Sequence, residues 1–300
     1  MLREDVSQND TGKLCELFGK SRQAYYQRVK YNYKEVAKED VILQMIQKER
    51  KKMPRSGGRK LMLKIQPQLS EELFVGRDAF FDLLRENGLL VRKRRKNVHT
   101  TFSKHWLRKH PNLIKDFHPT KAHQLWVSDI TYVQNSQGFC YLSLITDAYS
   151  RKIVGWSLAE TLEAKHSVKA LKMALRQLPK GTLGAYHHSD RGVQYCSDEY
   201  VSILKKNHFQ ISMTENGDPL ENPIAERVNG ILKDEWLNQM EFKNFHEVNE
   251  ALKTIINTYN QDRLHGSIDF LTPQAAHSLN VPLQRRWKNY YKERSLLCVE

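Results

Sequence analysis

Between Leu125 and Leu158 the chain carries three runs rich in β-branched and aromatic residues, 125–133, 139–146 and 152–158, separated only by turn stretches at Asn135-Ser136-Gln137-Gly138 and Asp147-Ala148-Tyr149-Ser150. Turns this short join antiparallel neighbours, because a parallel pair needs a crossover of about a dozen residues or more. The stretch therefore reads as an antiparallel meander. After it the pattern changes to a helix over 164–178, a strand over 183–188, a helix capped by Ser197, a short strand at 210–212 and a helix opening at Pro223. Three antiparallel strands followed by alternating helices and strands predict an α/β fold of RNase H-like order, an order that other hairpin-first α/β proteins share.

Three carboxylates fall at distinct points of this frame. Asp129 sits inside the first strand, on the same side as Leu125, Val127 and Val133, where an ionised carboxylate needs a cation, a proton or hydrogen bonds. Asp190 follows the fourth strand, where α/β sheets place their sites, and Gly192 beside it is expected to permit a tight turn. Glu226 lies one turn inside the last helix, whose N-terminal field favours the ionised form. Asn222 is the expected N-cap there and Pro223 the first helical residue. At about 100° per residue, Asn222, Glu226, Asn229 and Lys233 share a polar side, and Ile224, Val228, Ile231 and Leu232 share an apolar side suited to the sheet. The spacing itself decides little. Sixty residues separate Asp129 from Asp190 and 35 separate Asp190 from Glu226, and a chain with 34 Asp+Glu in 300 residues produces such intervals by chance. An ordinary surface glutamate on a solvated face is the simpler reading of Glu226. Asp147 is expected to shape its turn, and Asp218 and Glu221 read as loop residues.

The net charge of +14 is segregated: residues 1–124 hold 28 Lys+Arg against 14 Asp+Glu, and residues 125–300 hold 20 of each. Such segregation points to a nucleic-acid partner more than to an evenly solvated surface. In the basic half, Asp10 or Thr11 is expected to cap a short helix over 13–18. Gly19 turns the chain, and Ser21 caps a second helix over 22–30 carrying Tyr25, Tyr26 and Arg28. This is a helix-turn-helix pattern, although any helical hairpin looks similar. A helix over 39–52 with Val41, Ile42, Met45 and Ile46 at helical spacing stops near Pro54. A short helix over 61–65 follows, and another from Gly76 buries Phe80, Phe81 and Leu84 and ends at Gly88. The exit Arg92-Lys93-Arg94-Arg95-Lys96 is placed to track phosphates, a solvated linker being the plainer alternative. The expected division is a helix-turn-helix-like segment over 1–35, a helical module with basic exit suited to nucleic acid over 36–96, a linker over 97–122, an RNase H-like core with C-terminal helices over 123–285, and a basic tail over 286–300. Cys15, Cys140, Cys196 and Cys298 show no zinc-ligand spacing and suit a reducing compartment. No apolar run approaches the roughly 18 residues of a membrane span, so the chain is expected to be cytoplasmic and without a membrane partner.

The local sequences LWVSDITYV, SRKIVGW, HHSDRGVQY, SMTENGDPLENPIAERVNGILKDE and YNQDRLH, in this order, resemble the catalytic region of insertion-sequence transposases of the OrfB kind, in the IS three family. The resemblance covers about residues 35–280 and is most specific over 123–236. It implies a retroviral-integrase-like core with an Asp, Asp, Glu triad matched by Asp129, Asp190 and Glu226, and two Mg²⁺ or Mn²⁺ ions per site. It implies cleavage and transfer of DNA strands at insertion-sequence ends, with terminal inverted repeats and target DNA as substrates. Lys233 matches a position that tends to approach DNA, and Asn222, Asn229, Arg263 and His265 match supporting positions. Tyr259, Asn260, Arg263 and His265 belong to a late motif that packing and charge neutralisation explain at least as well as chemistry. The stretch PRSGGRKLMLKI departs from the tyrosine-containing form expected of such chains, which leaves the DNA role of that module open. A homo-oligomer on DNA and an upstream-frame helix-turn-helix protein are the expected partners. A metal-dependent nuclease or resolvase of the same fold, and a non-catalytic DNA-binding regulator derived from a transposase, are the alternatives.

Overall fold

The computed structural model describes residues 8–91, 109–215 and 221–283. Contacts divide the chain into one unit of residues 1–52 and 56–92 and a second of residues 53–55 and 93–300. The basic run Arg92 to Lys96, Asp218 and the tail over 286–300 lie outside the described residues, as do residues 97–108 of the expected linker.

In the first unit, α1 (Gln8–Leu17) leads through Gly19, whose φ of +61° suits glycine, to α2 (Arg22–Lys52). Ser21 caps α2 as expected, its Oγ accepting the Ala24 amide at 3.1 Å. Two expectations fail here. The first helix begins before Asp10 and Thr11, which lie inside it. The helices expected over 22–30 and 39–52 are a single 31-residue helix, so the boundary at 35/36 falls in its middle. No glycine or proline lies between Ser21 and Pro54, and tyrosines alone lower helix propensity without ending a helix. α3 (Gly58–Ile65) and α4 (Arg77–Glu86) complete the unit, packing Leu61, Ile65, Phe80, Leu83 and Leu84 on Ile42 and Ile46. Phe81, expected to be buried, is only partly so; Leu83 takes that place. Gly88 ends α4 in the left-handed region at φ +65°, and the Leu89 amide donates to Leu84 O at 2.7 Å.

The second unit holds a five-stranded sheet in the order β3-β2-β1-β4-β5. β1 (Leu125–Asn135), β2 (Gly138–Asp147) and β3 (Ile153–Ala159) form the antiparallel meander, and β4 (Tyr186–Ser189) and β5 (Gln210–Met213) add in parallel. With helices between the later strands, this is the RNase H-like arrangement. One face carries α5 (Ala164–Leu175) and α7 (Asp198–Lys206), which bury Val168, Leu171, Tyr200 and Leu204 against Trp126, Ile145 and Val154. The other carries α8 (Pro223–Glu235) and α9 (Phe245–Gln261), which pack Val228, Ile231, Leu232, Val248 and Leu252 on Val133, Leu142 and Leu144. The short helices α6 (Val193–Cys196) and α10 (Pro273–His277) complete it.

Residues 109–122, assigned above to the linker, are part of this unit. Phe117 lies 4.8 Å from the Tyr186 ring, and Pro111 O accepts the Met213 amide at 3.2 Å. Ile114 and Phe117 supply the apolar contact that holds the segment down.

At Gly155 on β3 the helix α5 approaches so closely that a Cβ would run into the Ala170 carbonyl oxygen and meet Ala174 Cβ at 3.0 Å. Both obstacles belong to a packed helix, so Gly155→Ala is expected to cost about 1–3 kcal/mol, read as a lowered urea midpoint at unchanged m-value.

Candidate active site

The register of β1 against β4 builds the site. Val127 pairs with His188 in parallel, and two residues further along each strand come Asp129 and Asp190, side by side where β4 ends after Ser189. β1 continues to Asn135, with β2 alone beside it. The edge that β4 leaves uncovered is met by α8. Asn222 Nδ2 donates to Ser128 O at 2.9 Å, and Asn229 Nδ2 donates to Asp129 Oδ2 at 2.8 Å. The other oxygen of Asp129 accepts the Ile130 amide at 2.9 Å. Burial, and next the charge of Asp190, push the Asp129 carboxyl from its ordinary 3.8 up to about 7, the Asn229 bond opposing and Glu226 adding a smaller push. Asp190 therefore acts on Asp129 as a like charge more strongly than Glu226 does.

α8 turns Val228, Ile231 and Leu232 to the sheet as the helical wheel expects, but its polar side is not wholly solvated. Its polar residues Asn222 and Asn229 are buried against β1, whereas Ile224, placed on the apolar side, is only partly covered. Glu226, between the two asparagines, is exposed. Asn222 occupies the N-cap position but makes no side-chain cap bond, its amide being committed to β1. Gly192 has an ordinary φ of −62° and so is not needed for a turn. It is needed for proximity: its N–H donates to Asp190 Oδ1 at 3.0 Å, and a Cβ there would stand 3.0 Å from the same oxygen.

Lys233, one turn beyond Asn229, is half-buried; burial lowers its pKa while the charge of Asp129 raises it. Arg263 and His265 are not brought to the carboxylates. Arg263 makes a bidentate pair with Glu235 at 2.6 and 2.7 Å, and His265 Nδ1 lies 3.1 Å from Ser267 Oγ. Tyr259 donates to Arg151 O at 3.0 Å, and Asn260 bonds both backbone groups of Ile153. The bonds the late motif makes here are internal to the fold. Asp147 is fully buried and shapes its turn as expected, accepting from Ser150 N and Oγ, both at 2.8 Å, and from His123 N at 2.7 Å. Burial pushes its carboxyl up, and these bonds with the nearby His277 outweigh burial and hold it low.

Beneath the carboxylates lies a polar layer that sequence reasoning missed. His187 Nε2 is 2.8 Å from Ser128 Oγ and 2.9 Å from Tyr200 OH, and His188 Nδ1 is 2.9 Å from Ser212 Oγ. Burial depresses the two imidazoles to about 3 and about 4, so both are neutral. The only hint in the sequence was two adjacent histidines in a strand flanked by buried neighbours, a pattern compatible with plain core packing.

Three carboxylates are hard oxygen donors of the kind magnesium and manganese take. The donor set fits such an ion: Asp129 is destabilised as an anion, and Asn229 Oδ1 beside it is buried without a hydrogen-bond partner. Among the described residues no three ligands already converge on one point. Asp129 and Asp190 are the preassembled pair, and Glu226 stands at the exposed rim.

The comparisons agree with this geometry. The family described as Integrase core domain matches residues 119–219, and a second of the same description matches residues 207–273. An insertion element IS600 uncharacterized 31 kDa protein from Shigella sonnei is 35% identical over 267 residues, covering 87% of this chain and 96% of that one. The transposase for insertion sequence element IS629 from the same organism is 34% identical over 69% of this chain and 70% of its own. Transposase InsF for insertion sequence IS3A of Escherichia coli (strain K12) is 32% identical over 66% and 69%. Among solved structures, the HTLV-2 integrase catalytic core domain in complex with magnesium shares 19% identity at a TM-score of 0.42, over 52% of this chain and 97% of that one. At that distance the fold assignment rests on the strand order. Nearly full-length similarity to an insertion-element protein and two overlapping integrase-core matches lead to one assignment: the chain belongs to the insertion-sequence transposases of the IS3 family, with an integrase-like core.

Proposed function

We propose that Asp129, Asp190 and Glu226 are the catalytic triad of a DNA transposase that cuts one strand at each end of its insertion element and joins the freed 3′ end to another phosphodiester. The observation that carries this reading is the strand register that brings Asp129 and Asp190 to neighbouring positions two residues beyond the Val127–His188 pair, where burial first and the charge of Asp190 next push the Asp129 carboxyl up to about 7. Two close acids that cannot comfortably both ionise are the mark of a site built for cations. Asp129, Asp190 and Glu226 would hold two magnesium or manganese ions. Bound there, they supply activation of the attacking hydroxyl and neutralisation of charge on the phosphate.

The chain's own residues do the positioning. Asn229 and the Ile130 amide fix both oxygens of Asp129, and the Gly192 amide fixes one of Asp190. Lys233 places a cation beside Asp129, suited to a DNA phosphate, and the run Arg92 to Lys96 would supply further phosphate contacts. A covalent protein–DNA intermediate is disfavoured. Burial pushes the Tyr195 phenol well above its ordinary range, and Ser128, though beside His187, has no exposed surface. We further infer action as a homo-oligomer on paired ends, with an upstream-frame helix-turn-helix protein as a further partner. Among the described residues no helix is long and apolar enough to cross a membrane.

The test is an end-labelled duplex carrying the terminal repeats that flank this reading frame, incubated with a supercoiled target and magnesium. Labelled strands joined to new DNA are expected. Cut strands with no joined product support the nuclease or resolvase reading, and binding without cutting supports the regulator.

A further inference from the structure

We infer that His188 is a positioning residue for the reaction: through a buried, one-directional chain of hydrogen bonds it fixes the entry of α8 and hence the placement of Glu226 opposite Asp129. The inference rests on the triad reading above and extends it to a residue that touches neither substrate nor ion.

Both nitrogens of His188 have unambiguous roles. Nε2 lies 3.1 Å from the carbonyl oxygen of Glu221. A carbonyl can only accept, so Nε2 carries the proton and Nδ1 presents its lone pair. Nδ1 is 2.9 Å from Ser212 Oγ, which must donate to it, and Ser212 Oγ in turn accepts the Leu113 amide at 2.9 Å. The proton order is thus Leu113 N–H to Ser212, Ser212 O–H to His188, and His188 N–H to Glu221. His188 and Ser212 have no exposed surface, so water offers neither a substitute partner.

The far end of this chain is the peptide that leads into α8. Glu221 also closes its own loop, its carboxylate accepting the Glu215 amide at 2.5 Å. Asn222, the next residue, reaches β1 at Ser128 O, and Asn229 reaches Asp129. α8 is therefore tied to β4 at its entry and to β1 on either side of Glu226. The β1 ties set the helix along one strand, and the His188 tie supplies the second direction by anchoring it to the strand that carries Asp190. Glu226 is exposed, and the helix entry sets where its backbone stands and hence how far its carboxylate can reach.

Two near-isosteres separate positioning from bulk stability. In His188→Gln the amide nitrogen falls where Nε2 was and can still donate to Glu221 O, while Ser212 loses its acceptor. In His188→Asn the amide oxygen falls where Nδ1 was and satisfies Ser212, while Glu221 O loses its donor. Each variant leaves one buried group unmet, so both melt below the parent. Only the asparagine variant releases α8. On the full chain, with the labelled duplex above, His188→Asn is expected to lower the cleavage rate and the Mn²⁺ affinity, read by electron paramagnetic resonance without DNA, by about 10-fold or more, and His188→Gln by less than about 3-fold. DNA affinity should stay within about 2-fold for both, the loss falling on kcat rather than KM.

Equal rates and equal Mn²⁺ affinities for the two variants, at a temperature where both are folded, overturn the inference. If His188→Asn does not fold, His188→Gln decides against the parent: it keeps the donor to Glu221 O and is expected to hold cleavage and Mn²⁺ affinity within about 3-fold, and a loss of about 10-fold or more overturns the inference. Asp190→Asn is run alongside. An active Asp190→Asn protein defeats the triad reading itself, whereas an inactive one with no difference between the His188 variants defeats the positioning role alone.

Discussion

Asp129→Asn is expected to abolish strand cleavage and, in the same molecule, to raise the melting temperature of the metal-free protein at neutral and alkaline pH. The two effects have one cause. Asp129 is enclosed beside Asp190, and its carboxyl is pushed from 3.8 up to about 7, so the folded state holds that proton more tightly than the unfolded chain does. A raised carboxyl contributes stability that is fully present below about pH 4, declines as the pH rises, and is gone above about pH 7. Each tenfold gain in proton affinity is worth about 1.4 kcal/mol, so the loss is at most a few kcal/mol. An asparagine has nothing to lose over this range. It also keeps the local bonds: its oxygen can accept the Ile130 amide, and Asn229 can turn its amide so that the Oδ1 now lacking a partner accepts from the new NH₂ group. Melts in chelator at about pH 5 and about pH 8 should show the variant gaining on the parent as pH rises, and magnesium should close the gap by stabilising the parent only. A variant that is no more stable than the parent at about pH 8 means that Asp129 is not strained as an anion, and the case for a cation site loses its main support.

The parts of the fold that the sequence made legible are those with local causes. Short turns dictated the meander, Ser21 dictated a helix start, Gly88 dictated a helix end, and the end of the fourth strand located Asp190. The misreadings have non-local causes. A helical wheel gives the apolar side of α8 that packs on the sheet, but not that Asn222 and Asn229 are buried as well, bonded to Ser128 O and Asp129. Asn229 was therefore grouped with Glu226 as polar but not recognised as buried. Gly192 reads as a turn residue in any sequence; its need for a missing Cβ becomes visible only when Asp190 Oδ1 stands 3.0 Å from the built atom. The continuity of α2 was obscured by its tyrosines, and the roles of His187 and His188 depend on partners, Ser128 and Ser212, that lie far off in sequence.

Arg263→Met should be among the most destabilising single changes outside the sheet, and its rescue should show that this residue supports the fold and takes no part in the chemistry. The Arg263 side chain is 3% exposed and that of Glu235 15%, with both guanidinium-to-carboxylate bonds formed. Tyr259, buried beside them, offers its ring to the guanidinium at 5.8 Å. Removing the arginine leaves a covered carboxylate without its cation, a change that costs about 3–5 kcal/mol in such pairs, whereas replacing both partners by apolar residues of similar size is often neutral. Urea unfolding should therefore place Arg263→Met well below the parent and Arg263→Met with Glu235→Leu close to it. Glu235 closes α8 nine residues after Glu226, roughly 13 Å along the helix axis, too far to touch the reacting phosphate. Where all three proteins are folded, the double variant should cleave within a few-fold of the parent. A stable double variant with no cleavage would instead place Arg263 in contact with DNA and restore the late motif to the chemistry.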